Sequence, residues 1–123
     1  MHVVRSTDGD TTDRTGSAIF DGTVHGHALS EGRSEQINAA IVHFSPGAKT
    51  RMHRHASDQL LYIVAGIGKV GANGEEHTVG AGDFVVIPAG EDHWHGAGDT
   101  GSPMSHLTIT LPGGETIVEG QPQ

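Results

Sequence analysis

Residues 47–66 read GAKTRMHRHASDQLLYIVAG and residues 82–95 read GDFVVIPAGEDHWH, and these two stretches decide the fold. Each couples histidines to a short apolar run, and each is framed by glycine or by Pro-x-Gly, residues that favour turns. In a strand, side chains two apart share a face. His53, His55 and Gln59 therefore project to one side if their strand runs without a bulge, and Leu61 and Ile63 continue that face. Leu60, Tyr62 and Val64 fall on the other. His93 and His95 obey the same alternation on a later strand, and a histidine facing the first group would complete a four-ligand site built from nitrogen and oxygen.

Outward from these stretches the chain keeps the same character. Nineteen glycines and five prolines punctuate short apolar runs, and no segment sustains the spacing of a long amphipathic helix. The residues predict strands in AIFDGTVHGHAL (18–29) and in QINAAIVHF (36–44), the latter closed by Ser45-Pro46-Gly47. The run LLYIVA is expected to stop at Gly66. GKVGANGEEHTVG (68–80) reads as a hairpin around Asn73-Gly74. Further strands are expected at Asp83–Ile87, His93–Ala97 and Met104–Leu111, with a short last one in GGETIVEGQPQ (113–123). The expectation is one all-β domain over residues 17–119, preceded by a flexible segment 1–16 with an edge strand and followed by a tail, 120–123.

Composition narrows the function. With 123 residues there is room for one ordinary domain. The absence of cysteine removes disulfides and thiolate ligands, and a cytoplasmic setting is expected. No apolar run resembles a signal segment or approaches the roughly 20 residues of a membrane span. A net charge of −8 with scattered lysines and arginines works against binding nucleic acid. The ten histidines are the compositional oddity, since imidazole is both a metal ligand and a proton carrier near neutral pH.

Gly47-x5-His53-x-His55-x3-Gln59-x6-Gly66, followed by Gly82-x5-Pro88-x-Gly90-x2-His93, resembles the two motifs of the cupin superfamily. That resemblance implies a double-stranded β-helix, or jelly-roll barrel, and a homodimer. It implies a divalent metal held by His53, His55, Gln59 and His93. Two positions depart from the common pattern: Gln59 stands where most cupins have glutamate, and Ala97 where the second motif often ends in asparagine. Gln59, HWHGA (93–97) and MSHLTI (104–109) are further similar to the small manganese-dependent hydroxynitrile lyase cupins. This narrower resemblance implies manganese, with iron, nickel, cobalt or zinc as alternatives, and a pocket lined by Ala40, Val42, Thr50, His95 and His106. Leu61 joins the pocket by its inward alternation. Thr110 replaces a pocket glutamine of that group, which changes the expected substrate preference.

Each residue also has a plainer reading. His53, His55 and His93 could be satisfied histidines on a sheet, and Gln59 a polar filler, but the two glycine frames would then be coincidental. His95 and His106 are either proton carriers or buried rings bonded to carbonyls. His25 and His27 share the His-x-His spacing without a third ligand and read as a strand-edge pair, while His2, His43 and His77 read as surface residues. Trp94 should point away from the metal. A glutamine oxygen offsets none of a dication's charge, which favours polarising a bound oxygen over redox cycling. The leading expectation is a metal-dependent enzyme acting on a small organic molecule, with cyanohydrin cleavage as a fitting lyase reaction. A metal-dependent dioxygenase and a non-catalytic small-molecule-binding module are the alternatives.

Overall fold

The alternating runs form twelve strands in the computed structural model, which describes residues 1–119. They are β1 (Thr12–Asp13), β2 (Phe20–Asp21), β3 (Val24–Ala28), β4 (Asn38–Phe44), β5 (Lys49–Thr50) and β6 (His53–His55). The remainder are β7 (Gln59–Ala72), β8 (Glu75–Gly80), β9 (Phe84–Ile87), β10 (His93–Gly96), β11 (Met104–Thr110) and β12 (Thr116–Val118). The only helical element among the described residues is a 3-10 turn at Gly98–Thr100. Every strand pairing is antiparallel. The architecture is a single all-β barrel of the cupin jelly-roll type. No helix of the described residues is long and apolar enough to cross a membrane. The tail, 120–123, lies outside the described residues.

One sheet runs β1-β3-β4-β11-β7-β9, and the other groups β8, β7, β10, β5, β6, β2 and β12. β7 belongs to both. Its first half pairs with β11 and β9, its second with β10 and β8, so one strand stitches the two walls of the barrel together. The expected stop at Gly66 is therefore corrected: the strand continues to Ala72. Gly66 turns it instead. Opposite β11 the register slips between Ser105 and His106, leaving Val64 as an extra residue, and Gly66 has φ of 76°. A Cβ there would collide with the Pro103 carbonyl oxygen. Asn73 (φ 53°) and Gly74 (φ 76°) make the expected hairpin between β7 and β8. The run 18–29 divides into β2 and β3 around Gly22.

The barrel interior has two zones. Val24, Phe44, Ala48, Leu61, Ile63, Val70, Val79, Ile87, Ala97 and Met104 form the buried apolar core. Thr50, His53, Gln59, His93, His95 and His106 are buried with them. Outside, the alternation places Leu60 opposite Val86 and Ile109, and Tyr62 opposite Phe84 and Leu107. Tyr62, Val64, Phe84 and Val86 are 44%, 42%, 57% and 58% exposed, so this wall carries an uncovered apolar face. Trp94 also points outward, seated against Gly71, where a side chain would collide with the indole, beneath the Lys49 ammonium at 5.1 Å.

Replacing Gly66 with alanine forces a left-handed backbone on a residue with a Cβ and drives that carbon into the Pro103 carbonyl. The expected loss is about 2 kcal/mol or more of unfolding free energy, read from urea denaturation. A variant as stable as the parent would mean that the sheet crossing does not depend on this glycine.

Candidate metal centre

β6 and β10 pair with His53 opposite His93, which sets two imidazoles side by side with ring centroids 4.2 Å apart. The His55 ring completes the group, 4.8 Å from His53 and 5.5 Å from His93. One ring nitrogen of each lies within 4.8 Å of the other two, an arrangement that one metal ion can bridge. Gln59 arrives by a different route from the continuous strand expected. The backbone breaks at Ala56–Asp58, and Gln59 opens β7 opposite Ile87. Asp58 braces the break by accepting the Ala89 N–H at 2.8 Å.

Each of these side chains is held from behind. The Nδ1–H of His53 donates to the Arg51 carbonyl at 2.8 Å, and that of His93 to the Glu91 carbonyl at 2.9 Å. A carbonyl only accepts, so both rings carry their hydrogen on Nδ1 and turn a bare Nε2 inward. His55 Nδ1 meets the Thr116 hydroxyl at 2.9 Å. The Gln59 amide nitrogen donates to Thr108 Oγ1 at 2.8 Å, which turns Oε1 inward.

Burial pushes all three histidines below the usual imidazole range, His53 to about 3, so the rings are neutral at pH 7. The consequence is an unbalanced centre. His93 Nε2 stands 2.9 Å from Gln59 Oε1 with a lone pair on each atom. His53 Nε2 and His55 Nε2 are buried with no partner. Converging lone pairs repel, and buried polar atoms are seldom left unsatisfied. A cation removes both costs. Three imidazole nitrogens and an amide oxygen, with no thiolate, suit a divalent first-row metal.

Beside this group lies a second histidine pair. His106 Nε2 and His95 Nδ1 share a hydrogen bond of 2.9 Å. The His95 ring lies nearly parallel to His93, at 5.6 Å and 14°. Phe44 packs on the His95 and His106 rings. Burial holds His95 well below the ordinary range and His106 at about 4, so both are neutral. One hydrogen lies between them: the ring that donates it has a bare outer nitrogen, and the ring that accepts it carries its own hydrogen on the outer nitrogen. The two outer nitrogens, His95 Nε2 and His106 Nδ1, have no partner.

The remaining expected pocket residues are spread along the interior. Ala40 and Val42 line a cavity of about 480 Å³ with Phe20 and Gly26, rimmed by Arg14, Glu31 and Arg33. Thr50 is buried and its hydroxyl accepts the His95 backbone N–H at 3.1 Å. Leu61 is fully buried in the core, and Thr110 sits half-buried opposite Asn38; neither forms a wall of that cavity. A second cleft, of about 510 Å³, runs beneath the β7–β8 hairpin and touches His93 but not His53, His55 or Gln59. His25 and His43 are cross-strand neighbours outside the barrel, and His43 Nδ1 meets the Ser105 hydroxyl at 2.7 Å. Thr108 and Thr116 were not singled out in the sequence. Thr108 shares the alternation of His106 and was legible in that way, whereas Thr116 carried no signal.

The model of the cupin domain matches residues 40–110. The chain is 41% identical over 95 residues to an (R)-mandelonitrile lyase of Granulicella tundricola, covering 73% of this chain and 70% of that protein. A shorter match, 44% over 45 residues, joins it to an acireductone dioxygenase of Rhodopseudomonas palustris, with 33% of this chain and 27% of that protein. Among solved structures, a cupin-like protein of Thermotoga maritima superposes with a TM-score of 0.81 at 28% identity, over 93% of this chain and 89% of that one. The polyketide cyclase RemF of Streptomyces resistomycificus superposes at 0.82 with 18% identity, over 100% and 88%, a likeness of fold alone. Motifs, barrel and a domain match over more than half of the sequence agree, and the chain belongs to the cupin family.

Proposed function

We propose that this chain is a metal-dependent lyase acting on a small hydroxyl- or carbonyl-bearing molecule, with reversible cyanohydrin cleavage as its reaction. The observation that carries the reading is the neutral donor set, three imidazoles and an amide, beside a neutral histidine pair. The likeness to a mandelonitrile lyase supports it. His53, His55, Gln59 and His93 would hold one divalent ion, manganese first among those the donors suit. Such an ion supplies Lewis-acid polarisation of a bound oxygen, undiminished because glutamine brings no charge.

The chain's own residues do the rest. His95 and His106 would move the proton, and the hydrogen bond between them lets a proton accepted at one ring be matched by a shift to the other. In cleavage, the cyanohydrin hydroxyl gives its proton to this pair, the C–O bond becomes a carbonyl, and the bond to the nitrile carbon breaks. Its electron pair leaves as cyanide, which takes the proton back and departs as hydrogen cyanide. Val42, paired across the sheet with His106, and Ala40, paired with Thr108, would offer an apolar wall to the aldehyde fragment, although the cavity they line does not itself border the four donors, with Thr50 holding β10 in place and Leu61 and Thr110 shaping the interior. The match to acireductone dioxygenase favours oxygen chemistry as the second reading.

Protein loaded with manganese is expected to release cyanide and benzaldehyde from mandelonitrile equally well with and without oxygen. Activity that vanishes without oxygen would reverse the two readings, and tight binding of the compound without turnover would make the barrel a binding module. Gln59→Glu lowers the charge at the centre by one, so lyase turnover should fall at least tenfold while metal is retained. Unchanged turnover would show that metal charge does not drive the reaction.

The neutrality of the histidine pair fixes a dependence of stability on pH. Free imidazole titrates near 6.5, whereas buried His106 titrates at about 4, its cause the loss of water around the ring. Below 6.5 the unfolded chain takes up a proton that the folded chain refuses, so stability is full above 6.5 and drains away as pH falls toward 4. His106 alone accounts for about 3 kcal/mol. Urea denaturation of metal-free protein at pH 7.5 and pH 4.5 measures this together with the same-sign contributions of the other buried histidines, and His106→Gln should make the slope shallower by the His106 share. An unchanged slope would remove His106 as the cause.

The uncovered wall of Leu60, Tyr62, Val64, Phe84 and Val86 is taken to meet a second copy of the chain, since an apolar face of five side chains on paired strands is costly in water. Light scattering should give the mass of two chains, and Val86→Glu should halve it. A monomeric parent at high concentration would end this assignment.

A further inference from the structure

The three inward-facing histidines are not anchored alike. The Arg51 and Glu91 carbonyls behind His53 and His93 can only accept a hydrogen, so those rings are fixed before any metal arrives. Behind His55 stands the hydroxyl of Thr116, at 2.9 Å. A hydroxyl rotates and serves either sense. If it accepts, His55 carries its hydrogen on Nδ1 and offers a bare Nε2; if it donates, the hydrogen moves to Nε2 and blocks the ligand position.

Thr116 belongs to β12, a three-residue strand beyond the residues that the cupin domain matches. Among the described residues β12 pairs only with β6, in the register Thr116 to His55, Ile117 to Arg54 and Val118 to His53. Two flanking backbone bonds extend the contact, from Ala56 N–H to the Glu115 carbonyl at 3.1 Å and from Glu119 N–H to the Met52 carbonyl at 2.9 Å. β12 thus lies along the strand that carries two of the four inward donors, on the edge away from β10. So short a strand, with one neighbour, docks weakly by itself.

We propose that β12 is a metal-linked strap: docking of Thr116 on His55 and capture of a divalent ion at His55 Nε2 are one coupled equilibrium, with Thr116 the positioning residue. An ion at Nε2 leaves the hydrogen on Nδ1, which makes Thr116 the acceptor and tightens β12. Docked β12 holds the ring in the state that the ion requires, and such coupling is reciprocal, the same factor appearing in both directions. This rests on reading His53, His55, Gln59 and His93 as a metal centre.

The test uses the full chain, manganese titration by calorimetry, and hydrogen exchange read by mass spectrometry. Thr116→Val keeps the β-branch and removes the hydroxyl, so it should weaken manganese binding by about 10- to 100-fold, while Thr116→Ser restores most of the affinity. In the parent, amides 116–118 should exchange more slowly once manganese is added, and in Thr116→Val that protection should shrink. Thr116→Val binding manganese as tightly as the parent would overturn the proposal. So would parent β12 amides that exchange at one rate with and without the ion, a result that needs no variant to fold. If the parent binds no manganese or other divalent ion, the metal centre itself fails, an outcome distinct from a centre that binds while β12 stays indifferent.

Discussion

Four side chains in this barrel have their outer hydrogen-bonding groups engaged and turn one group each toward a shared space. Arg51 and Glu91 carbonyls hold two rings, Thr116 a third, and Thr108 the Gln59 amide. The remaining lone pairs are buried, neutral and mutually repulsive, and this is the constraint around which the fold is arranged. The pairing of β6 with β10 sets the spacing of His53 and His93, and the break before Gln59 returns the amide to them. The apolar zone of Phe44, Leu61, Ile63 and Met104 shares the barrel interior with them.

Charge, or its lack, runs through the same region. Among the described residues, no carboxylate and no lysine is buried with the four donors and the His95–His106 pair. A dication brought there keeps its field, and a pair of neutral rings nearby changes protonation at the cost of burial alone, with no fixed anion to pin it. That combination suits chemistry in which charge appears briefly on oxygen and is handed on as a proton.

Alternation made much of this readable beforehand. It placed Leu61, Ile63, His93 and His95 inside and Tyr62, Val64 and Trp94 outside, because a residue's face in a strand depends only on its own neighbours. It turned Gln59 inward, beside His93, but by the wrong path, since the backbone breaks between His55 and Gln59 where a continuous strand was expected. Gly66 misled for a physical reason: a glycine with positive φ ends one strand and bends another, and only the approach of Pro103 from across the sheet distinguishes the two. Thr116 was unreadable because its partner, His55, is 61 residues away. Family resemblance implied the barrel and the inward donors, and it said nothing about that contact.

The seat of Trp94 has a spectroscopic meaning. It is the only tryptophan in the chain, placed between His93 and His95 on β10, half-buried against the bare backbone of Gly71 and capped by Lys49. Indole emission is sensitive to nearby charge and to the polarity of its surroundings, and here every photon originates from one strand. The flanking imidazoles share its backbone, so a change in how they are held is transmitted through two peptide bonds rather than through solvent. The molecule thus carries its own optical gauge of β10, one that needs no label and disturbs no residue of the interior.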